Sequence, residues 1–364
     1  MIIALCGCLI QQEETVERVK RSFPFIDICF GTHALYKFPE ILHNYLEKKE
    51  RTFDVPESDG VIAENLPIKR DGVFKAWLPV SYGCDNFCSY CVVPFVRGRE
   101  RSRKSEDIIK EFGELVDSGY KEITLLGQNV NSYGKGLDED INFPKLLKKL
   151  CEKKGDYLIK FMTSHPKDMT KELVDVMAFE PNIAKYIHLP VQSGNDEILK
   201  AMNRGYTVAQ YLEKIKYIKE KIPDITLSSD IIVGFPGETY GQFLDTLELL
   251  KTVEFDFLFT FIFSKRPKTA AFSLEDPDSH EEKSKRLNYL LKVQQEIGCK
   301  RNGRFEGKTV RVFCENKMEN GWFFGRTDGN IGVEFEAEDK DIGSFKEIKI
   351  TEALNYALRG GIVK

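Results

Sequence analysis

Apolar and polar positions alternate along this chain with two periods, and the period changes twice. Between Phe74 and Phe263, apolar runs at 74–81, 122–127, 158–163, 186–191, 225–233 and 255–263 are separated by amphipathic stretches. Ser105–Ser118, Thr207–Lys221 and Tyr240–Thr252 are examples, with apolar residues three and four apart. Six strand-then-helix units predict parallel strands with right-handed crossovers, curling into a partial barrel whose chemistry lies at the C-terminal strand ends.

Before this region, residues 1–50 predict two shorter units: a strand at Ile2–Leu5, a helix at Gln12–Ser22, a strand at Phe25–Phe30 and a helix at Pro39–Leu46. Two strands cannot form an independent sheet, so this part reads as a truncated α/β domain, cut off on its N-terminal side. Residues 51–72 are polar, with Pro56, Gly60 and Gly72 as breakers, and read as a linker. Residues 73–304 then form the core, ending in a helix from Glu281 to Cys299. From 305 to 364 the period shortens to two, giving strands at Thr309–Phe313, Gly321–Arg326, Ile331–Phe335 and Ser344–Ile350, with Asn-Gly and Gly-Asn turns between them. This reads as a small β-barrel. The fold class is α/β, a partial (β/α)6 barrel flanked by these two smaller parts.

A chain of 364 residues with 42% hydrophobic content is an ordinary globule of about two or three domains. Its longest apolar run, near Phe255–Phe263, is too short to cross a bilayer. Met1–Ile10 lacks the basic start of a signal peptide, and the odd count of nine cysteines fits a reducing compartment, so the expected location is cytoplasmic. The net charge of −4 gives no global pull on phosphate. Lys283–Arg304 carries seven Lys/Arg and one Glu, a pattern that usually means a solvated helix face, while 305–364 is weakly acidic.

The chemistry concentrates in Tyr82–Arg103, YGCDNFCSYCVVPFVRGRERSR, directly after the first barrel strand. Cys84, Cys88 and Cys91 stand in a C-x3-C-x2-C spacing. Three thiolates can hold three irons of a 4Fe-4S cluster and leave the fourth open to a chelating ligand. Zinc would want a fourth Cys or His close by, and His165 and Cys151 are distant and unaccompanied. Polar groups also gather at the ends of successive strands: Gly127-Gln128-Asn129, Thr163-Ser164-His165, Gln192-Ser193-Gly194 and Asp230–Gly234. Any one of them can equally be a turn or cap.

The cysteine segment together with EITLLGQNVNSYG (122–134), HLPVQSGND (188–196), MNRGYT (202–207) and IIVGFPGET (231–239) resembles the radical S-adenosylmethionine (SAM) methylthiotransferases. The resemblance is closest to those acting on N6-dimethylallyladenosine in tRNA, and it covers essentially the whole chain. It implies an N-terminal methylthiotransferase domain, a radical SAM barrel and a C-terminal TRAM barrel. It further implies sulfur insertion and methyl transfer at C2 of adenine 37 in the anticodon loop, with SAM bound at the cluster of Cys84, Cys88 and Cys91. Tyr90 would lie near the adenine of SAM, and Gln128 and Asn129 near its methionine end. Such enzymes hold a second 4Fe-4S cluster, of whose three cysteines only Cys8, in Gly7-Cys8-Leu9-Ile10-Gln11, has a counterpart in this chain. Cys6, on the strand face of Cys8, reads as a core thiol.

An electron donor such as flavodoxin or ferredoxin, no membrane partner and a monomeric state complete the expectation. Arg97, Arg99, Arg101 and Arg103, if extended, share one face suited to tRNA phosphates. Two alternatives stand beside the methylthiotransferase reading. One is a radical SAM protein that cleaves SAM without completing methylthiolation; the other is an RNA-binding module built on the basic helix and terminal barrel.

Overall fold

The computed structural model describes residues 1–57, 61–64, 66, 68–70 and 72–363. At the N-terminus three parallel strands, Ala4–Cys6, Ile28–Phe30 and Thr52–Asp54, lie side by side in that order. The middle strand is buried on both faces: Cys29 packs with Ile10, Val16, Val19 and Ile26, and Ile28 and Phe30 pack with Ala34 and Ile41. Helices Glu13–Ser22 and Phe38–Lys48 supply the outer layer.

Two expectations change in this unit. The stretch read as the start of a linker contains the third strand, because Phe53 and Val55 complete the apolar layer below the first helix. A three-residue strand is too short to show a period in sequence. Of that linker reading, Gly60 lies outside the described residues. Cys6 is exposed rather than a core thiol. The strand stops at Cys6, Gly7 takes φ 129°, and a 3-10 turn begins at Cys8, so residues 6 and 8 do not share a strand face.

Six parallel strands follow: Lys75–Pro79, Glu122–Leu126, Leu158–Phe161, Tyr186–His188, Thr226–Val233 and Phe257–Ile262. They pair in two groups of three, one-two-three and four-five-six, joined by a bridge between Ile159 and Ile183. The crossover helices are where periodicity puts them. Val208–Lys221 and Tyr240–Val253 each start at a capping box, Thr207 with Gln210 and Thr239 with Gln242, which satisfies orphan backbone donors. Their apolar faces, with Tyr211, Ile215, Ile218, Phe243, Leu247 and Leu250, close one continuous core over the strands. None of the described helices is long and apolar enough to cross a membrane.

The basic helix runs from His280 to Gly303, and its charges are divided: Lys285, Lys292 and Lys300 are solvated, and the others turn inward. Lys283 and Arg286 are buried, bonded to Asp276 at 2.5 Å and to Asp278 at 2.9 Å. Arg301 and Arg304 both pair with the buried Asp256, and Lys300 with Glu254. Lys283, Arg286, Arg301 and Arg304 are thus internal ion pairs that fasten the helix to the barrel, which weakens the RNA-binding reading built on the tract.

The C-terminal part is a closed five-stranded barrel of Thr309–Lys317, Phe323–Thr327, Gly332–Glu336, Phe345–Ala353 and Leu358–Ile362. Its last strand carries no clear alternation because it contains Gly360 and Gly361. A Cβ at Gly360 would meet the Lys349 carbonyl oxygen at 2.4 Å, so closure itself requires the glycine. This barrel docks on the base of the large one, at the N-terminal strand ends. Lys160 Nζ reaches Glu122 at 2.6 Å and Asn330 at 3.2 Å, and Lys75 reaches Glu315 at 2.6 Å. A Cβ at Gly329 would meet Thr226 Oγ1 at 2.4 Å, so the turn is seated against the fifth strand.

Candidate metal centre

The cysteine loop leaves the first barrel strand at the C-terminal end, opposite the docked small barrel. Ser81–Tyr82 pairs antiparallel with Arg101–Ser102, which closes the loop at its neck. Gly83 takes φ 76°, and a Cβ there would meet the Arg99 carbonyl oxygen at 2.1 Å, so the neck tolerates only glycine. Inside the loop Phe87 adopts φ 45°, a conformation a bulky residue holds only when its surroundings enforce it.

The enforcing residues belong to MNRGYT and the helix end before it. Ser89 Oγ donates to the Ala201 carbonyl at 2.7 Å and its N–H to that of Met202 at 3.0 Å. Asn203, itself at φ 57°, donates to the Phe87 carbonyl at 2.9 Å. Arg204 Nη1 reaches Cys88 Sγ at 3.2 Å and the Tyr90 hydroxyl at 3.3 Å. Its Nε reaches the Tyr206 hydroxyl at 3.0 Å and its Nη2 the Pro190 carbonyl at 2.7 Å. Sequence reasoning used this motif only as a mark of resemblance. The signal available was an Asn-Arg-Gly tripeptide between two helices, where a buried Arg has no local reason to be.

Cys84 and Cys88 are buried and Cys91 is partly so. Burial pushes the Cys84 thiol up and that of Cys91 up to about 11, with the neighbouring cysteines adding to the effect. Three thiolates would therefore be held poorly together without a cation among them. Among the described residues, no three His, Cys, Asp or Glu side chains converge on one point that would hold a single ion. In a cubane each thiolate binds its own iron corner, and three cysteines on one loop supply that chemistry. The donor set fits a 4Fe-4S cluster.

Tyr90 packs against Met202, Ile232 and Phe263 and lines a cavity of about 250 Å³ with Gln192, Asp230, Phe261 and Arg266. Behind Asp230 runs a polar chain: His188 Nε2 lies 3.3 Å from its carboxylate, and Ser228 Oγ stands 2.8 Å from both His188 Nδ1 and the Tyr186 hydroxyl.

Gln128 and Asn129 do not line this cavity. Gln128 Oε1 accepts from Gly83 N at 2.6 Å, holding the loop neck. Asn129, 2% exposed, donates to Asp168 at 2.7 Å and accepts from His165 N at 3.1 Å, joining the second strand end to the third. Their neighbours keep the unspent atoms: Asn131, Ser164 Oγ and His165 Nε2 have buried polar atoms without a protein partner. Burial pushes the His165 ring down to about 2, and its Nδ1 accepts from Lys167 N, so the neutral ring presents an N–H at Nε2. Unsatisfied buried groups at one rim match a ligand with several polar atoms, as SAM has.

The four arginines do not share a face. Gly98 at φ 74° turns the chain between Arg97 and Arg99, and only Arg101–Ser102 is strand. Arg99 is exposed, over the Phe87 ring and 3.0 Å from Asp85. Arg101 is half-buried, donating to the Arg97 carbonyl at 3.3 Å. Arg103 points inward, bonded to Glu64 at 2.5 Å and Glu111 at 2.8 Å, which withdraws it from any phosphate. Cys8 opens a turn that packs against Val93–Val96, the short helix following Cys91. Thr32 Oγ1 ties the same region to the Val96 carbonyl at 3.0 Å.

Comparison with known proteins agrees with this geometry. Residues 78–250 match the radical SAM superfamily and residues 303–363 the TRAM domain. The chain is 47% identical over its whole length to a tRNA-2-methylthio-N(6)-dimethylallyladenosine synthase of Thermoanaerobacter sp. (strain X514), of which it covers 78%. It is equally 47% identical to the protein of that name from Clostridium perfringens (strain SM101 / Type A), covering 82% of it. Among solved structures, a radical S-adenosylmethionine methyltransferase from Kitasatospora setae aligns with TM-score 0.47 at 16% identity, over 58% of this chain and 41% of that one, too distant to add to the argument. A cysteine triad at the mouth of a six-stranded parallel barrel, and this identity along the entire chain, lead to one conclusion: the chain belongs to the radical SAM tRNA-2-methylthio-N6-dimethylallyladenosine synthase family.

Proposed function

We propose that this chain is a tRNA methylthiotransferase, which replaces the C2 hydrogen of N6-dimethylallyladenosine 37 by a methylthio group. The observation that carries the reading is the clamped triad of Cys84, Cys88 and Cys91 in a chain alike over its full length to synthases of that name. An aromatic C–H at C2 is inert to any side-chain acid or base, so the hard step needs a radical cofactor. A 4Fe-4S cluster with SAM supplies a carbon-centred radical for it.

The chain's own residues bind, orient and shield. The MNRGYT clamp fixes the three thiols, Gln128 fixes the loop neck, and Asn131, Ser164 and His165 offer polar atoms to SAM. Tyr90, Phe261 and Asp230 present aromatic faces and a carboxylate to a planar ligand. The substrate base sits in a single-stranded loop, where unstacking is cheap. Arg97, Arg99 and Arg101 stand near the mouth for its phosphates, and Arg103 does not.

Cys8 beside the helix of Val93–Val96 belongs to a second cluster that donates sulfur. The domain division follows as a methylthiotransferase unit ending after Asp54, a radical SAM core to about residue 304 and a TRAM barrel from 305. A cytoplasmic monomer reduced by a flavodoxin or ferredoxin completes the proposal. Anaerobic reconstitution tests it. About eight irons per chain, reductant-dependent 5′-deoxyadenosine and methylthiolated tRNA nucleoside by mass spectrometry support it. About four irons, with deoxyadenosine but no methylthio product, reduce it to SAM cleavage alone, and no iron chromophore removes it.

A further inference from the structure

Arg204 is 4% exposed, and four donor contacts of its guanidinium end on the hydroxyls of Tyr206 and Tyr90, the Pro190 carbonyl and Cys88 Sγ. Among the described residues no carboxylate pairs with it; the groups of potential negative charge acting on it are Tyr90, Tyr206 and Cys88. The other buried cations of this chain are treated differently. Arg103 has Glu64 and Glu111, Arg286 has Asp278, and Lys160 has Glu122. A buried guanidinium without an anion is costly enough that folds rarely keep one.

A phenol is neutral at pH 7, and the Tyr206 hydroxyl keeps its proton on the Val191 carbonyl at 2.9 Å, so neither ring supplies the charge. What remains is the sulfur at 3.2 Å, which is anionic once it ligates iron. We propose that Arg204 is the built-in counter-charge of the iron–sulfur cluster, a positioning residue whose hydrogen bond to Cys88 Sγ stabilises the cluster and favours its reduced form. Adding an electron makes the cluster more negative, and a fixed cation on a ligand sulfur stabilises that state more than the oxidised one. The same guanidinium locks Tyr90 and Pro190, so the third ligand and the fourth strand end are aligned with the charge that holds the cluster.

The inference rests on the cluster assigned above, and the experiment separates the two. Wild type, Arg204→Met and Arg204→Lys are prepared metal-free and after anaerobic reconstitution. Thermal midpoints, iron release to a chelator and the cluster's midpoint potential by EPR-monitored dithionite titration are then measured. In Arg204→Met the metal-free protein should lose less stability than the reconstituted one, and iron should leave about 10-fold faster. The potential should move to more negative values, with Arg204→Lys between the two. Equal destabilisation of the metal-free and reconstituted forms, failure of metal-free Arg204→Met to fold, or an unchanged potential would make Arg204 a structural peg and overturn the proposal. Absence of an iron chromophore in wild type overturns the cluster assignment instead.

Discussion

Glu238 closes the turn after the fifth barrel strand and is 4% exposed. Its carboxyl accepts from Gly234 N at 2.7 Å, and burial pushes it up to about 7 despite Arg286 at 3.7 Å, which is engaged more closely with Asp278 at 2.9 Å. The folded protein therefore keeps a proton there that the unfolded chain gives up near 4.5. Between these two values the native state binds more protons, so stability falls as pH rises from about 4.5 to 7 and is level beyond. At about 1.4 kcal/mol per tenfold in proton affinity, the full loss attributable to Glu238 is about 3 kcal/mol.

Glu238→Gln keeps an acceptor for Gly234 and is neutral at every pH. Relative to wild type it should be nearly neutral at pH 4.5 and more stable by about 3 kcal/mol at pH 8. Urea unfolding of the metal-free proteins, followed by circular dichroism across that range, measures the difference. His165, pushed by burial down to about 2, works with the opposite sign: its contribution is lost as pH falls below about 6.5. It acts in both proteins and cancels when the curves are subtracted. A flat difference, or a variant that loses stability at high pH, would mean that Glu238 is ionised and held by Arg286, and would refute the reasoning.

The buried ion pair of Lys160 and Glu122, at the base of the large barrel where the small one docks, is testable by a double-mutant cycle. Lys160→Met leaves the buried Glu122 only the longer contact to Lys75 at 3.5 Å and should cost about 3 kcal/mol, whereas Lys160→Met with Glu122→Leu should recover most of it; additive losses in urea unfolding would deny the coupling. The two arginines at opposite ends of the rim should part company. Arg99→Glu should weaken tRNA binding and lower the salt slope, while Arg103→Met should leave the slope unchanged and cost about 2 to 3 kcal/mol of stability by stranding Glu64; filter binding at several salt concentrations and an unfolding curve decide both.

The sequence by itself determined everything that depends on neighbours along the chain. Period fixes the six parallel strands and their helices, because a side chain's face is set by its position within an element. The capping boxes at Thr207 and Thr239 are local for the same reason, and so is the spacing of Cys84, Cys88 and Cys91 on one loop. What depends on partners far away in sequence was decided only by the tertiary structure. Arg103 looks like its neighbours Arg99 and Arg101 until Glu64 and Glu111 arrive beside it. Lys283, Arg286, Arg301 and Arg304 look solvated until Asp256, Asp276 and Asp278 are folded against them. The Gln128 side-chain carbonyl oxygen and the Asn129 amide, polar at a strand end, are engaged by Gly83, Asp168 and His165, and the last strand of the small barrel exists because two other strands accept it. Arg204 is the clearest case: 116 residues separate it from Cys88. Charge and hydrogen-bonding capacity are written in the residue, but which partner consumes them is a property of distance in space.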